Sequence, residues 1–65
     1  MSQLPTFLTA LEVSARLRCS ERSVWRWASQ GILPAPVQIG PNKRLWVESE
    51  ITDYIARKLA EKSQR

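Results

Sequence analysis

Residues 18–31 read Arg18-Cys19-Ser20-Glu21-Arg22-Ser23-Val24-Trp25-Arg26-Trp27-Ala28-Ser29-Gln30-Gly31, and this stretch decides the fold. Ser20 is a good N-cap, because its hydroxyl accepts a backbone N–H that a helix start leaves unpaired, and Glu21 lies close to the positive end of the helix dipole. Val24, Trp27 and Ala28 follow at i, i+3 and i+4 and therefore share one face. Gly31 is placed to end the helix in a left-handed conformation. On the other side lie Arg22, Arg26 and Ser29 at i, i+4 and i+7, flanked by Ser23 and Gln30. One side of this helix is built to be buried, and the other is polar and basic.

Upstream, Thr9 is followed three residues later by Glu12, the form of a capping box in which the two side chains satisfy each other's backbone N–H. A helix is predicted over Ala10 to Leu17, with Leu11, Ala15 and Leu17 as its apolar face and Val13 alongside. The segment Arg18-Cys19-Ser20 interrupts the pattern, so two short helices meet at a tight turn. Met1 to Phe7 contain Pro5 and no period, which predicts an N-terminal arm over 1–7, with Phe7 and Leu8 as anchors.

Downstream, Ile32-Leu33-Pro34-Ala35-Pro36 cannot continue a helix, since proline lacks the N–H donor and drives the residue before it to an extended conformation. Val37-Gln38-Ile39 alternates apolar and polar, Gly40-Pro41-Asn42-Lys43 supplies turn residues, and Arg44-Leu45-Trp46-Val47 returns as a second strand. From Glu48 the spacing is helical again, with Ile51, Tyr54, Ile55 and Leu59 on the inner face, and the tail from Ala60 onward is expected to fray. The fold class is mainly α with a small β-hairpin: three helices and a two-stranded wing between helices 2 and 3, a winged helix-turn-helix. The domain spans 8–60, and 61–65 form a polar C-terminal tail.

Composition narrows the function. In a chain of 65 residues there is room for one domain and none for a second, effector-sensing one. Cys19 is the single cysteine and histidine is absent, so the commonest general base, any multi-thiolate metal site and an internal disulfide are all ruled out. No catalytic residue, cofactor site or metal site can be assembled from these side chains. Glu48, Glu50 and Asp53 are explained by their place at a helix start. No apolar run approaches the roughly 20 residues of a membrane span, and the first residues lack the features of a signal peptide, so the protein is expected in the cytoplasm, with no membrane or small-molecule partner.

Ten Lys and Arg against six Asp and Glu give a net charge of +4, which favours a polyanionic partner. Two helices joined by a tight turn, the second exposing basic and small polar side chains, match the dimensions of the major groove of duplex DNA. Arg22, Ser23 and Arg26 are the expected base-reading residues, since arginine pairs with guanine and serine serves several bases. Lys43 and Arg44 at the hairpin are expected to hold backbone phosphates, joined by Ser20, Ser29, Gln30 and Asn42. The competing reading makes Arg22 and Arg26 an ordinary solvated helix face. A protein-interaction module, such as an antirepressor that docks its basic face on an acidic partner, is the rival from another class.

The tryptophans weigh toward packing rather than base stacking. Trp27 shares the core face with Val24, Trp46 belongs under the wing, and Trp25, about 100° round the helix from Val24, is expected to be partly buried. Cys19 is expected to seal the turn between the first two helices.

Taken together, Leu8-Thr9-Ala10-Leu11-Glu12-Val13-Ser14, Ser20 to Trp27, the exit Gly31-Ile32-Leu33-Pro34 and Arg44 to Ile51 resemble AlpA-like regulators and phage-type excisionases, which share a MerR-like winged-helix fold. The resemblance covers about Phe7 to Leu59. It implies a recognition helix at Ser20 to Gln30, a wing around Gly40 to Arg44, no cofactor, and double-stranded DNA as the partner. It further implies a bacterial or phage recombination directionality factor, of which several copies bind adjacent sites, bend the DNA and steer an integrase toward excision of a mobile element; other proteins of this shape regulate transcription. One position departs from the pattern, since glycine is common at the turn where Arg18 stands. The turn is therefore expected to be remodelled, the alternative being an Arg18 held left-handed with a phosphate on its side chain.

Overall fold

A computed structural model describes residues 4–63, which run in the order β1 (Phe7–Leu8), α1 (Ala10–Leu17), α2 (Glu21–Ser29), β2 (Val37–Gly40), β3 (Lys43–Val47) and α3 (Glu48–Ser63). The fold is the expected winged helix-turn-helix, mostly helical with a small antiparallel hairpin. Residues 1–3 of the expected N-terminal arm and 64–65 of the expected tail lie outside the described residues.

The α1 helix starts on the capping box: the Thr9 hydroxyl accepts from the Glu12 N–H at 3.1 Å, and the Thr9 N–H donates to Glu12 Oε1 at 2.8 Å. Its buried face corrects the sequence reading, because Ala10, Val13 and Ser14 are buried with Leu17 half-buried behind them. Leu11 is 65% exposed and Ala15 is also exposed. The spacing 10, 13, 14, 17 is the true helical stripe, and it was obscured because Ser14 looks polar. Its hydroxyl donates to the Leu11 carbonyl at 2.7 Å, so it enters the core with its hydrogen bond made.

Both short helices end on the same hydrogen-bonded motif. At the end of α1, Arg18 N–H donates to the Ala15 carbonyl (3.3 Å) and Cys19 N–H to the Ser14 carbonyl (3.0 Å), with Arg18 left-handed at φ 56°, ψ 47°. Beyond α2, Gly31 N–H donates to the Ala28 carbonyl (3.2 Å) and Ile32 N–H to the Trp27 carbonyl (2.9 Å), with Gly31 at φ 80°. Each is a Schellman cap. The turn is therefore not remodelled around Arg18: the residue adopts the left-handed conformation that glycine favours, at a cost of roughly 1–2 kcal/mol for a side chain with a Cβ. The motif leaves little choice, since two carbonyls of α1 are paired only if the backbone reverses at this position.

The wing carries a strand that the sequence did not announce. β3 pairs antiparallel with β2 (Val37↔Leu45, Gln38↔Arg44, Gly40↔Lys43) and, on its other edge, with β1 (Phe7↔Val47, Leu8↔Trp46), giving a three-stranded sheet in the order β1-β3-β2. Phe7 and Leu8, expected as anchors of the leading segment, are held by this pairing. Glu48 N–H donates to the Thr6 carbonyl at 2.8 Å and extends this pairing. A two-residue strand has no period to detect, so only the partner reveals it. The register shift between Gln38 and Gly40 is a bulge at Ile39, and Pro41-Asn42 make the tip.

The core consists of Leu8, Ala10, Val13, Val24, Leu33, Trp46 and Ile51, with Leu17, Cys19, Trp27, Ala28, Tyr54 and Ile55 packed against it. Cys19 and Trp27 take the places expected of them. α3 enters this core with Ile51, Tyr54 and Ile55 only; Leu59 is 62% exposed, contrary to expectation. The helix runs past Ala60 to Ser63, with a Lys58–Glu61 pair at 3.6 Å and Lys58 Nζ 5.6 Å from the centre of the Tyr54 ring. Arg16 Nη2 bonds Glu48 Oε2 at 2.9 Å and ties α1 to the start of α3.

This face assignment has a measurable consequence. Val13→Ala should lower the unfolding free energy by about 2 kcal/mol, whereas Leu11→Ala should change it by less than about 0.5 kcal/mol. Urea titrations followed by tryptophan fluorescence test this, and equal losses for the two variants would restore the original face.

Candidate nucleic-acid interface

Burial divides α2 cleanly. Val24 is fully buried and Trp27 and Ala28 partly so, while Glu21, Arg22, Trp25, Arg26 and Ser29 are exposed. The outward side therefore carries both arginines of the expected recognition surface. Neither Arg22, Arg26, Lys43 nor Arg44 forms an ion pair among the described residues, where the pairs present are Arg16–Glu48 and Lys58–Glu61. Four guanidinium and ammonium groups are thus left to solvent.

The orientation of the hairpin relative to α2 is set by two tryptophans. The Trp25 and Trp46 ring centroids lie 4.9 Å apart at an interplanar angle of 61°, an edge-to-face contact. Trp46 is fully buried, and its Nε1–H donates to the Pro34 carbonyl at 2.9 Å. Side chains alternate along a strand, so Arg44 leaves β3 on the same face as Trp46, and its cross-strand partner Gln38 points the same way. The hairpin consequently turns its Arg44 face toward α2.

Between them is an open cleft of about 550 Å³, walled by Thr9 and Ala10 at the start of α1, by Glu21 and Trp25 of α2, and by Gln38 and Pro41 to Leu45 of the hairpin. Lys43, Arg44 and Asn42 thus share a concavity with the N-terminal half of α2. Arg22 and Arg26 each follow a cleft residue by one position, about 100° around the helix, and lie outside the lining. The hairpin therefore faces Glu21 and Trp25 directly and the arginine ridge from the side. Sequence reasoning did not single out Glu21 as a wall of this cleft and treated Trp25 only as a packing residue. Their i, i+4 spacing was the available signal.

The remaining expected site residues are constrained by the fold to different degrees. Ser20 Oγ accepts from the Ser23 N–H at 3.1 Å and donates to Ser23 Oγ at 3.0 Å, so it serves the cap and leaves the half-buried Ser23 hydroxyl a proton to offer. Ser29 Oγ donates to the Arg26 carbonyl at 2.8 Å, which spends its proton on the helix. Gln30 is exposed at the end of α2, and Asn42 is exposed at the hairpin tip, where its N–H bonds the Gly40 carbonyl at 3.0 Å.

Among the described residues no group of three or more His, Cys, Asp or Glu side chains could hold a metal ion, and no helix is long and apolar enough to cross a membrane. Every buried side-chain nitrogen or oxygen among them has a hydrogen-bond partner.

The role of Ser20 can be measured directly. Ser20→Ala should cost about 1 kcal/mol, lowering the thermal midpoint by about 4–8 °C in a domain of this size, as read by circular dichroism. An unchanged midpoint would mean that the α2 cap is not held by this hydroxyl.

No curated protein and no solved structure matches the chain. A protein-family model described as a helix-turn-helix domain does match, over residues 7–59. That range runs from the first residue of β1 to the exposed Leu59 of α3 and so takes in every element that walls the cleft. The chain therefore belongs to this helix-turn-helix domain family, whose members are DNA-binding modules.

Proposed function

We propose that this protein is an excisionase-type recombination directionality factor: it binds specific duplex sites in several copies, bends the DNA and steers an integrase toward excision of a mobile element. The observation that supports this most is the set of cations on α2 and on the hairpin facing it across one cleft, none of which forms an ion pair among the described residues. In this reading Arg22, Ser23 and Arg26 enter the major groove, where arginine makes bidentate contacts to guanine. Lys43 and Arg44 hold the flanking phosphates, with Ser20, Ser29, Gln30 and Asn42 as lesser backbone contacts. The protein contributes binding and bending but no catalysis, and it needs no cofactor.

A module of this size offers roughly 600–1,000 Å² of interface, so one copy binds modestly and cooperative loading on adjacent sites raises occupancy. Most of the affinity comes from phosphates. With four to six of them neutralised, log K should fall with log salt at a slope of about −4 to −5, measurable by fluorescence anisotropy. A slope near zero contradicts the model. Arg26→Ala should relax sequence preference while Lys43→Ala weakens binding to all sequences alike, and equal losses on specific and random DNA for both variants would contradict that division of labour.

The recombination role has its own test. Deleting the gene should suppress excision of the adjacent element, and mobility shifts on neighbouring DNA should give a ladder as protein is added. Normal excision accompanied by altered transcription would identify an AlpA-like regulator instead. Failure to retard any duplex at low salt, with tight binding to one acidic protein, would point to an antirepressor.

A further inference from the structure

The two Schellman caps offer an internal comparison. One uses Gly31 and the other Arg18, at the same position of the same motif, with backbone angles in the same left-handed region. Among the described residues Arg18 is the one non-glycine with positive φ. Glycine meets the backbone requirement without strain, so a strained arginine at this position calls for a purpose in its side chain.

Three folded-state purposes fail. Arg18 is exposed and takes no place in or against the core. It forms no ion pair among the described residues, whereas Arg16, two positions earlier, bonds Glu48 at 2.9 Å. A cation does favour the negative end of α1, but Arg16 already stands in that last turn with an ordinary helical backbone. Its setting indicates an intermolecular use: Arg18 precedes the α2 N-cap Ser20 by two residues, and Arg22 follows that cap by two. Two arginines that form no ion pair among the described residues thus flank the α2 cap along the chain, where the helix dipole adds positive potential.

We infer that Arg18 is a DNA-backbone contact, a phosphate clamp at the entry of α2 that acts with Arg22, and that its left-handed strain is retained for this role. The inference rests on the DNA-binding reading proposed above. A guanidinium suits the task because its fork meets two phosphate oxygens at once.

The test sets stability against affinity. Arg18→Gly and Arg18→Asn both tolerate the left-handed backbone, so the thermal midpoint should stay at or above that of the unaltered protein. Binding to a short mixed-sequence duplex, followed by anisotropy at several salt concentrations, should weaken about tenfold, with a salt slope shallower by about one. Arg18→Lys should restore the slope. If Arg18→Gly and Arg18→Asn bind with unchanged affinity and slope while the unaltered protein binds normally, this inference alone is overturned. A parallel fall in midpoint and affinity also overturns it, because Arg18 would then serve the fold. An unaltered protein that binds no duplex overturns the DNA reading and this inference together.

Discussion

The burial of one indole organises the molecule. Trp46 lies on β3, the middle strand of the sheet, pairs with Leu8 of β1, meets the ring of Trp25 on α2 edge-to-face and donates its indole N–H to the Pro34 carbonyl. One side chain thus connects the N-terminal strand, the second helix, the proline-rich exit and the hairpin. A buried indole N–H without a partner would be costly, so the extended path forced by Pro34 and Pro36 is also what makes the burial of Trp46 tolerable. The direction of the wing follows, because the face of β3 that buries Trp46 also carries Arg44.

A domain this small has little stability to spare, since a single core in this size range supplies only about 3–5 kcal/mol. Local devices therefore matter as much as the core. The Thr9–Glu12 capping box, the Ser20 cap and the two Schellman caps pair backbone groups that short helices would otherwise leave open. Placing a left-handed arginine in one of those caps goes against this economy. The cations on the outward face of α2 and on the hairpin do not add to the fold either, because they form no ion pair among the described residues. Cation clustering of this kind raises attraction to a polyanion at the expense of self-repulsion.

Local rules written in few residues were legible from the sequence. The capping residues Thr9 and Ser20, the left-handed Gly31, the proline break, the hairpin and the helical run from Glu48 all lie where their side-chain chemistry dictates. The expected family likeness was supported at the level of a helix-turn-helix domain. Errors arose where a choice depended on a neighbour. Leu11 and Leu59 are large and apolar yet lie on the solvent side, while Ser14, a polar residue, is inside because the Leu11 carbonyl accepts its hydroxyl proton. Hydrophobicity alone does not mark which side of a short helix a partner covers.

By itself, then, the sequence determined where helices start and stop, where the chain must turn, and that a basic face would accompany an apolar one on α2, because these follow from backbone hydrogen bonding and helical spacing within a few residues. Only the tertiary structure decided that β1 adds a third strand, that α1 buries Ala10, Val13 and Ser14, that Arg18 is held left-handed and that the hairpin looks onto Glu21 and Trp25. The first, second and fourth of these rest on contacts between segments distant in sequence. The third rests on how α1 must end if the next helix is to pack against it.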